Sequence, residues 1–192
     1  MHFSTLTPLL ALLSLTTTHA LPQDSSPADA AGKPAPPPCI VPLVLYTSLP
    51  NPFTLTALLP STSWPVQTSP RTPSKTRSSK LVISNKRIAQ PNFKLADGKL
   101  VYEGFDAQTL PSPAIFPPPL VSLVFGGSGP TGGQTFSAGY ACDAKGKQYL
   151  KLIPDGFPFV VPRVAEGQEL FLKPKDFQGK SVEANLKIQG GL

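Results

Sequence analysis

Apolar residues recur at every second position in short runs along the chain, and polar or turn-forming residues separate the runs. Period two marks a strand with one buried face, and strands run about four to eight residues. The pattern predicts strands in "IVPLVLYT", "FTLTALL", "KLVIS", "NFKL", "KLVYEG", "LVSLVF", "TFSAGYAC", "QYLKLI", "FPFVV", "QELFLK" and "VEANLKI". They recur about every ten residues, the spacing of a sandwich or a closed barrel.

Proline supports the same reading. Its 25 copies are scattered over the whole chain, and each would cost about 3 kcal/mol inside a helix by removing a donor and clashing with the preceding turn. The proline-free stretches 93–110, 131–153 and 175–192 carry period-two patterns or glycines instead of a helical period. An all-β, single compact domain follows, either a barrel or a β-sandwich.

Three stretches share a turn followed by an alternating strand: "LADGKLVYEG", "CDAKGKQYLKL" and "VAEGQELFLKP". Gly98, Gly146 and Gly167 are expected to supply the positive φ that such turns require. These repeated hairpins resemble those of ricin-type β-trefoil domains over the last hundred or so residues. The resemblance implies a trefoil-like barrel. The Gln-x-Trp signature of those lectins is missing, so no sugar-binding residue carries over.

The N-terminus changes the picture of compartment. "MHFSTLTPLLALLSLTTTHA" has an apolar middle from Leu6 to Leu15 and small residues before a cut at Ala20. That is the layout of a secretory signal peptide, although no Lys or Arg precedes the apolar stretch. The apolar stretch is too short to span a bilayer, which takes about 20 residues, and no later run reads as a transmembrane segment. Residues 21–38, rich in Pro, Ala and Ser, read as a disordered leader. The all-β domain then spans 39–192. The whole design resembles small secreted β-domain proteins of filamentous fungi.

In an oxidising compartment the only two cysteines, Cys39 and Cys142, are expected to pair. Closing a loop of about 100 residues stabilises by roughly 4–5 kcal/mol. His2 and His19 both lie in the segment expected to be removed. The mature chain would then lack imidazole bases, Ser-His and Cys-His pairs and His-ligated metals. No Asn-x-Ser/Thr acceptor occurs. The tract "PSTSWPVQTSPRTPSKTRSS" is rich enough in Ser, Thr and Pro to carry O-linked sugar.

The charge of +6 is localised. No acidic residue lies between Asp29 and Asp97, whereas acids and bases balance from Asp97 onward. The candidate basic patch is Arg71, Lys75, Arg77, Lys80, Lys86, Arg87 and Lys94. Such a patch attracts acidic polymers or anionic surfaces, but it lacks the interleaved aromatics of a nucleic-acid site; a solvated loop is the plainer reading. Lys86-Arg87 resembles a dibasic processing site, unless a paired strand protects it. "GGSGPTGG" and "QGKS" lack the full spacing of a phosphate loop, and the first reads as a flexible surface loop. No cofactor is expected. "PSPAIFPPPL" reads as an extended crossover.

Two routes to function remain. Trp64, Tyr102, Tyr140 and Tyr149 form a candidate ligand face, if they are exposed rather than core. Without histidine, catalysis would need two facing carboxylates. Asp143 and Asp155, which flank "GKQYLKLI", are the pair to examine, although Asp97, Asp155 and Glu166 beside glycines are ordinary turn chemistry. The expectation is a secreted, non-catalytic extracellular or cell-wall protein that binds carbohydrate or a polyanionic host surface. An effector acting on a host protein and a glycoside-active enzyme are the alternatives.

Overall fold

The computed structural model describes residues 38–192 except 87, 111–116 and 130. The expected signal segment 1–20, the leader through residue 37, Arg87 of the dibasic pair and residues 111–116 of the "PSPAIFPPPL" crossover lie outside the described residues.

The described residues form strands and no helix. The first are β1 Leu45–Tyr46, β2 Phe53–Leu59, β3 Thr62–Ser69, β4 Ser79–Ile83 and β5 Phe93–Ala96. Then come β6 Lys99–Tyr102, β7 Phe105–Thr109, β8 Val121–Phe125, β9 Gly132–Gly133 and β10 Phe136–Cys142. The last are β11 Gln148–Pro154, β12 Phe159–Val161, β13 Phe171–Leu172, β14 Val182–Glu183 and β15 Asn185–Gly190.

Seven strands close into a barrel. The antiparallel pairings run β2–β3–β4–β8–β7–β6–β5 and return to β2. Of the two architectures the pattern allowed, the barrel is the one that forms. Four more strands extend it as a sheet, in the order β1–β10–β11–β15 and ending on β2. β2 therefore belongs to both. β15 pairs with it from Phe53 to Leu58 on one edge. The other edge is shared: Thr56–Leu59 pair with β3, and Phe53 pairs with β5.

The pleat sorts side chains. β2 is buried at Phe53, Leu55, Ala57 and Leu59 and half-buried between them. The registers carry that parity across the sheet. Trp64, Ala57, Leu186, Leu152, Ala138 and Tyr46 are successive cross-strand partners, so they share the inner face. Inside the barrel, Phe93 packs on Phe53, Tyr102 and Phe125 with ring centroids 6.4, 5.5 and 5.9 Å away. Phe136 stacks on Phe159 at 6.3 Å, joining the extension and β12 to one continuous core. The expected bridge forms between Cys39 and Cys142 and fastens the start of the described chain to the end of β10.

The three expected turn glycines have positive φ: 77° at Gly98, 75° at Gly146 and 72° at Gly167. Only the first two turn tight hairpins. "ADGK" joins β5 to β6 with both Asp97 (φ 49°) and Gly98 left-handed, as a two-residue type I′ turn demands. A second such turn, Glu103 (φ 51°) and Gly104 (φ 79°), joins β6 to β7; the pattern had absorbed it into "KLVYEG". The third turn ends instead in a strap. β4 and β8 pair only at Ser79–Lys80 and then part. Residues 167–172 fill the gap, bonding to β4 through Gly167, Gln168 and Leu170 and to β8 through Phe171 and Leu172.

Two loop readings need correction. "TSWPVQTS", read within a loop tract, is strand β3, with Pro65 opposite Thr56. Period two fails there because the strand hands over from β2 to β4 midway, so Val66, Gln67 and Thr68 are all buried. "GGSGPTGG" is partly tied down: Gly132 and Gly133 pair with β7. A Cβ at Gly126 would meet Ser74 O at 2.6 Å, so that glycine permits a close backbone approach.

Gly104 tests the meander of β5, β6 and β7. Nothing lies within 4 Å of a Cβ built there, so Gly104→Ala meets only the backbone penalty of the left-handed conformation. Chemical denaturation should show a loss of about 1–2 kcal/mol; an unchanged or higher stability would contradict the turn.

Candidate functional site

The sharing of one β2 edge by two strands creates a cleft. Between β3 and β5, the carbonyl of Leu55 has no strand partner on that edge, and Gln90 Nε2 donates to it at 3.2 Å. Gln67 Nε2 reaches across from β3 to Ile88 O at 3.4 Å. These two amides hold residues 88–92 over the seam. They enclose a cavity of about 290 Å³ lined by Gln67, Thr68, Arg71, Thr72, 89–92, Tyr102 and Glu103. Its size is near the lower end for small-ligand sites, which begin at roughly 300 Å³.

Tyr102 anchors the cleft. Its hydroxyl donates to Arg71 O, and Thr68 Oγ1 donates to the same carbonyl at 3.2 Å. The Arg71 backbone is thus held while its side chain stays exposed at the rim. The second type I′ turn brings Glu103 into the lining of the same cavity. Both glutamines use their NH₂ groups on the scaffold, which leaves the Oε1 oxygens as acceptors for a guest. Arg71 and Asn92 add donors, and Thr72 adds a hydroxyl that both donates and accepts.

The candidate ligand face does not exist as one surface. Tyr102 is buried, 7% exposed, within the barrel's aromatic cluster. Trp64 lies on the inner face, half-buried against the core, with its Nε1 buried and unpartnered. Tyr140 shares that face and meets Tyr46 edge-on at 6.3 Å. Tyr149 alone points outward, because it stands next to inward Leu150 on β11. Pleat parity, invisible in the aromatic count, separates them. Burial, and then the Asp143 charge, raise the Tyr149 phenol pKa; burial and Tyr140 raise that of Tyr46.

The basic patch is also divided. Arg71, Lys75, Arg77, Lys86 and Lys94 are exposed. Lys80 is neutralised by Glu169 of the strap at 3.0 Å. The 70–78 segment is less loose than a solvated loop: Ser74 N donates to Arg77 O at 2.8 Å, and Gly127 N donates to Ser74 O at 2.8 Å.

Asp143 and Asp155 do not face one another. They sit beyond opposite ends of β11, a seven-residue strand that spans about 20 Å. Asp143 accepts from the backbone N–H of Lys145 and Lys147, both at 2.9 Å. Those bonds, that of Lys147 first, hold its carboxyl below the usual range. Asp155 shares a different cavity, of about 570 Å³, with Asp97, Leu45, Thr135 and Ser137. Thr135 Oγ1 donates to Asp155 at 3.2 Å, and Ser48 Oγ donates to Asp97 at 3.3 Å. Among the described residues, no three His, Cys, Asp or Glu side chains converge as a metal cage would require, and no helix is long and apolar enough to cross a membrane.

Comparisons with protein-family models, with curated proteins and with solved structures find no match to this chain.

Glu166 offers a pH test of the strap. The Ser84 hydroxyl and then the Asn85 N–H, at 2.8 Å, favour its charged form and lower its pKa. A lowered folded pKa contributes stability above the carboxylate range, lost as pH falls through it. Glu166→Gln should lower Tm near neutral pH, and the gap to wild type should close as pH falls through and below the usual carboxylate range. A gap that is constant with pH would contradict this role.

Proposed function

We propose that the protein is a secreted, non-catalytic binding protein of an extracellular or cell-wall setting, and that the seam cleft takes a polyhydroxylated ligand of one or two sugar units. The apolar N-terminal stretch and the Cys39–Cys142 bridge support the compartment. The carrying observation for the ligand is the convergence of Gln67, Gln90, Asn92 and Thr72 between Arg71 and Glu103 in one cavity. Amides, hydroxyls and a carboxylate are the groups that exchange hydrogen bonds with sugar hydroxyls. Gln67 lies in β3, Gln90 is bonded to Leu55 O and the Arg71 carbonyl accepts two hydrogen bonds, so a guest would cost these groups little ordering entropy.

A second reading has one specific observation in its favour. Asp97 and Asp155 share a cavity with three hydroxyl side chains, Thr47, Thr135 and Ser137, as a His-free glycoside-active site would require two carboxylates.

One titration separates the two. The secreted protein, labelled with ¹⁵N, is titrated with neutral gluco- and chito-oligosaccharides, and released reducing ends are assayed in parallel. The binding reading expects shifts at Gln67, Gln90 and Asn92 and at least a fivefold loss of affinity in Arg71→Ala, without product. Product that disappears in Asp97→Asn would favour the second reading. Absence of both would overturn both and leave a host protein as the partner to seek.

A further inference from the structure

The sheet that extends the barrel has a second face, and its charge pattern is unusual. Lys151 on β11 lies directly opposite Lys187 on β15, and Lys187 is opposite Thr56 on β2. Opposite residues in an antiparallel pair share a face, with Cβ atoms roughly 4.5–5.5 Å apart, and like charges there repel. Both lysines are half-buried, so their stems lie along the sheet with the ammonium groups at its surface.

Neither is compensated. Among the described residues the ion pairs are Lys80–Glu169 and Lys99–Asp106. No outward position of β10, β11, β15 or β2 holds a carboxylate. Glu183 lines the same surface cavity as Lys151 without pairing with it. On one side of Lys151 the outward positions are apolar, with Ile153 two residues on and Gly139 opposite it on β10; the other outward neighbours of the two cations are neutral hydrogen-bonding groups. Tyr149 precedes Lys151 by two residues, and Asn185 and Gln189 flank Lys187. Thr54 stands opposite Gln189 and donates to its Oε1 at 3.4 Å.

We infer that this outer face is a second binding surface, fitted to an anionic polysaccharide. Two neighbouring cations that weaken the free sheet gain their counter-charge when an acidic chain lies across it. The amides and hydroxyls between them meet the sugar hydroxyls. The acid group is a carboxylate or a sulfate, the chemistry that two ammonium point charges accept equally. Nucleic acid fits less well, because one outward tyrosine is no stacking series. The surface is separate from the seam cleft, so the inference stands whether or not that cleft binds sugar.

The test uses the whole secreted protein. Wild type, Lys151→Gln/Lys187→Gln, Thr56→Glu and Lys75→Gln are titrated at low salt with polygalacturonate, dextran sulfate, neutral dextran and single-stranded DNA, and each Tm is recorded. Wild type should bind one or both acidic polysaccharides and lose that binding as salt rises, and neutral dextran should not compete for it, whether or not it enters the seam cleft. Polygalacturonate alone would name the carboxylate, dextran sulfate alone the sulfate. The double variant should bind at least tenfold more weakly with an equal or higher Tm, the opposite of what a structural pair would show. Thr56→Glu, which adds the missing carboxylate, should also raise Tm and weaken binding, and Lys75→Gln, in the exposed basic segment outside the cleft, should bind as wild type. Unchanged binding in the double variant, equal binding of DNA, or loss of binding in Lys75→Gln alone would overturn the inference.

Discussion

The two edges of β2 organise this molecule. One edge is committed to β15 along almost its whole length. The other is divided between β3 and β5. The first commitment joins the barrel to its sheet extension and imposes a single inside and outside on both. The division leaves a seam, and the seam becomes the cleft. A backbone carbonyl without a strand partner must be satisfied by something else, and at Leu55 that is the side chain of Gln90. The same amide is a wall of the cavity. A requirement of barrel closure has therefore placed polar side chains where a guest can reach them.

Much of this was legible in the chain. "FTLTALL" is β2 to the residue, and the alternating runs at "NFKL", "LVSLVF" and "TFSAGYAC" lie on β5, β8 and β10. β2 and β5 keep one buried face throughout, so period two survives in them, whereas β8 buries Leu123, Val124 and Phe125 in succession and stands out only as an apolar run. The alternation fails where a strand changes partners or is short. β3 carries Trp64 and Pro65 and buries three consecutive residues as it passes from β2 to β4. β7, "FDAQT", buries only Ala107, so nothing in its pattern stood out. "IVPLVLYT" reduces to Leu45–Tyr46, with Ile40, Leu43 and Leu45 exposed at the sheet's edge.

The sites were less legible, for a related reason. Aromatic residues can be counted in a sequence, but the face each one takes depends on register. Trp64 and Tyr140 point inward, whereas Tyr149 points outward because it neighbours inward Leu150. Tyr102 and Arg71, taken from two different candidate groups, meet through one hydrogen bond. Charge followed the same rule. The basic run between residues 71 and 94 stood out for its lack of acids, yet Lys80 within it is paired across 89 residues. Lys151 and Lys187 lie in a stretch of balanced composition, and only the β11–β15 register sets them side by side. In a fold of long-range antiparallel pairings, chemistry is assembled by register more than by local sequence.

The central claim, that β2 is paired on both edges while β1 is an unprotected edge, is tested most directly by amide hydrogen exchange. The account predicts that amides across Phe53–Leu59, except Leu55, whose N–H faces the seam with its carbonyl, are among the slowest in the protein, opening only with global unfolding, while those of Leu45 and Tyr46 exchange faster by local opening. Exchange of β2 as fast as that of β1 would contradict the shared strand, and with it the seam, the cleft and the common inner face.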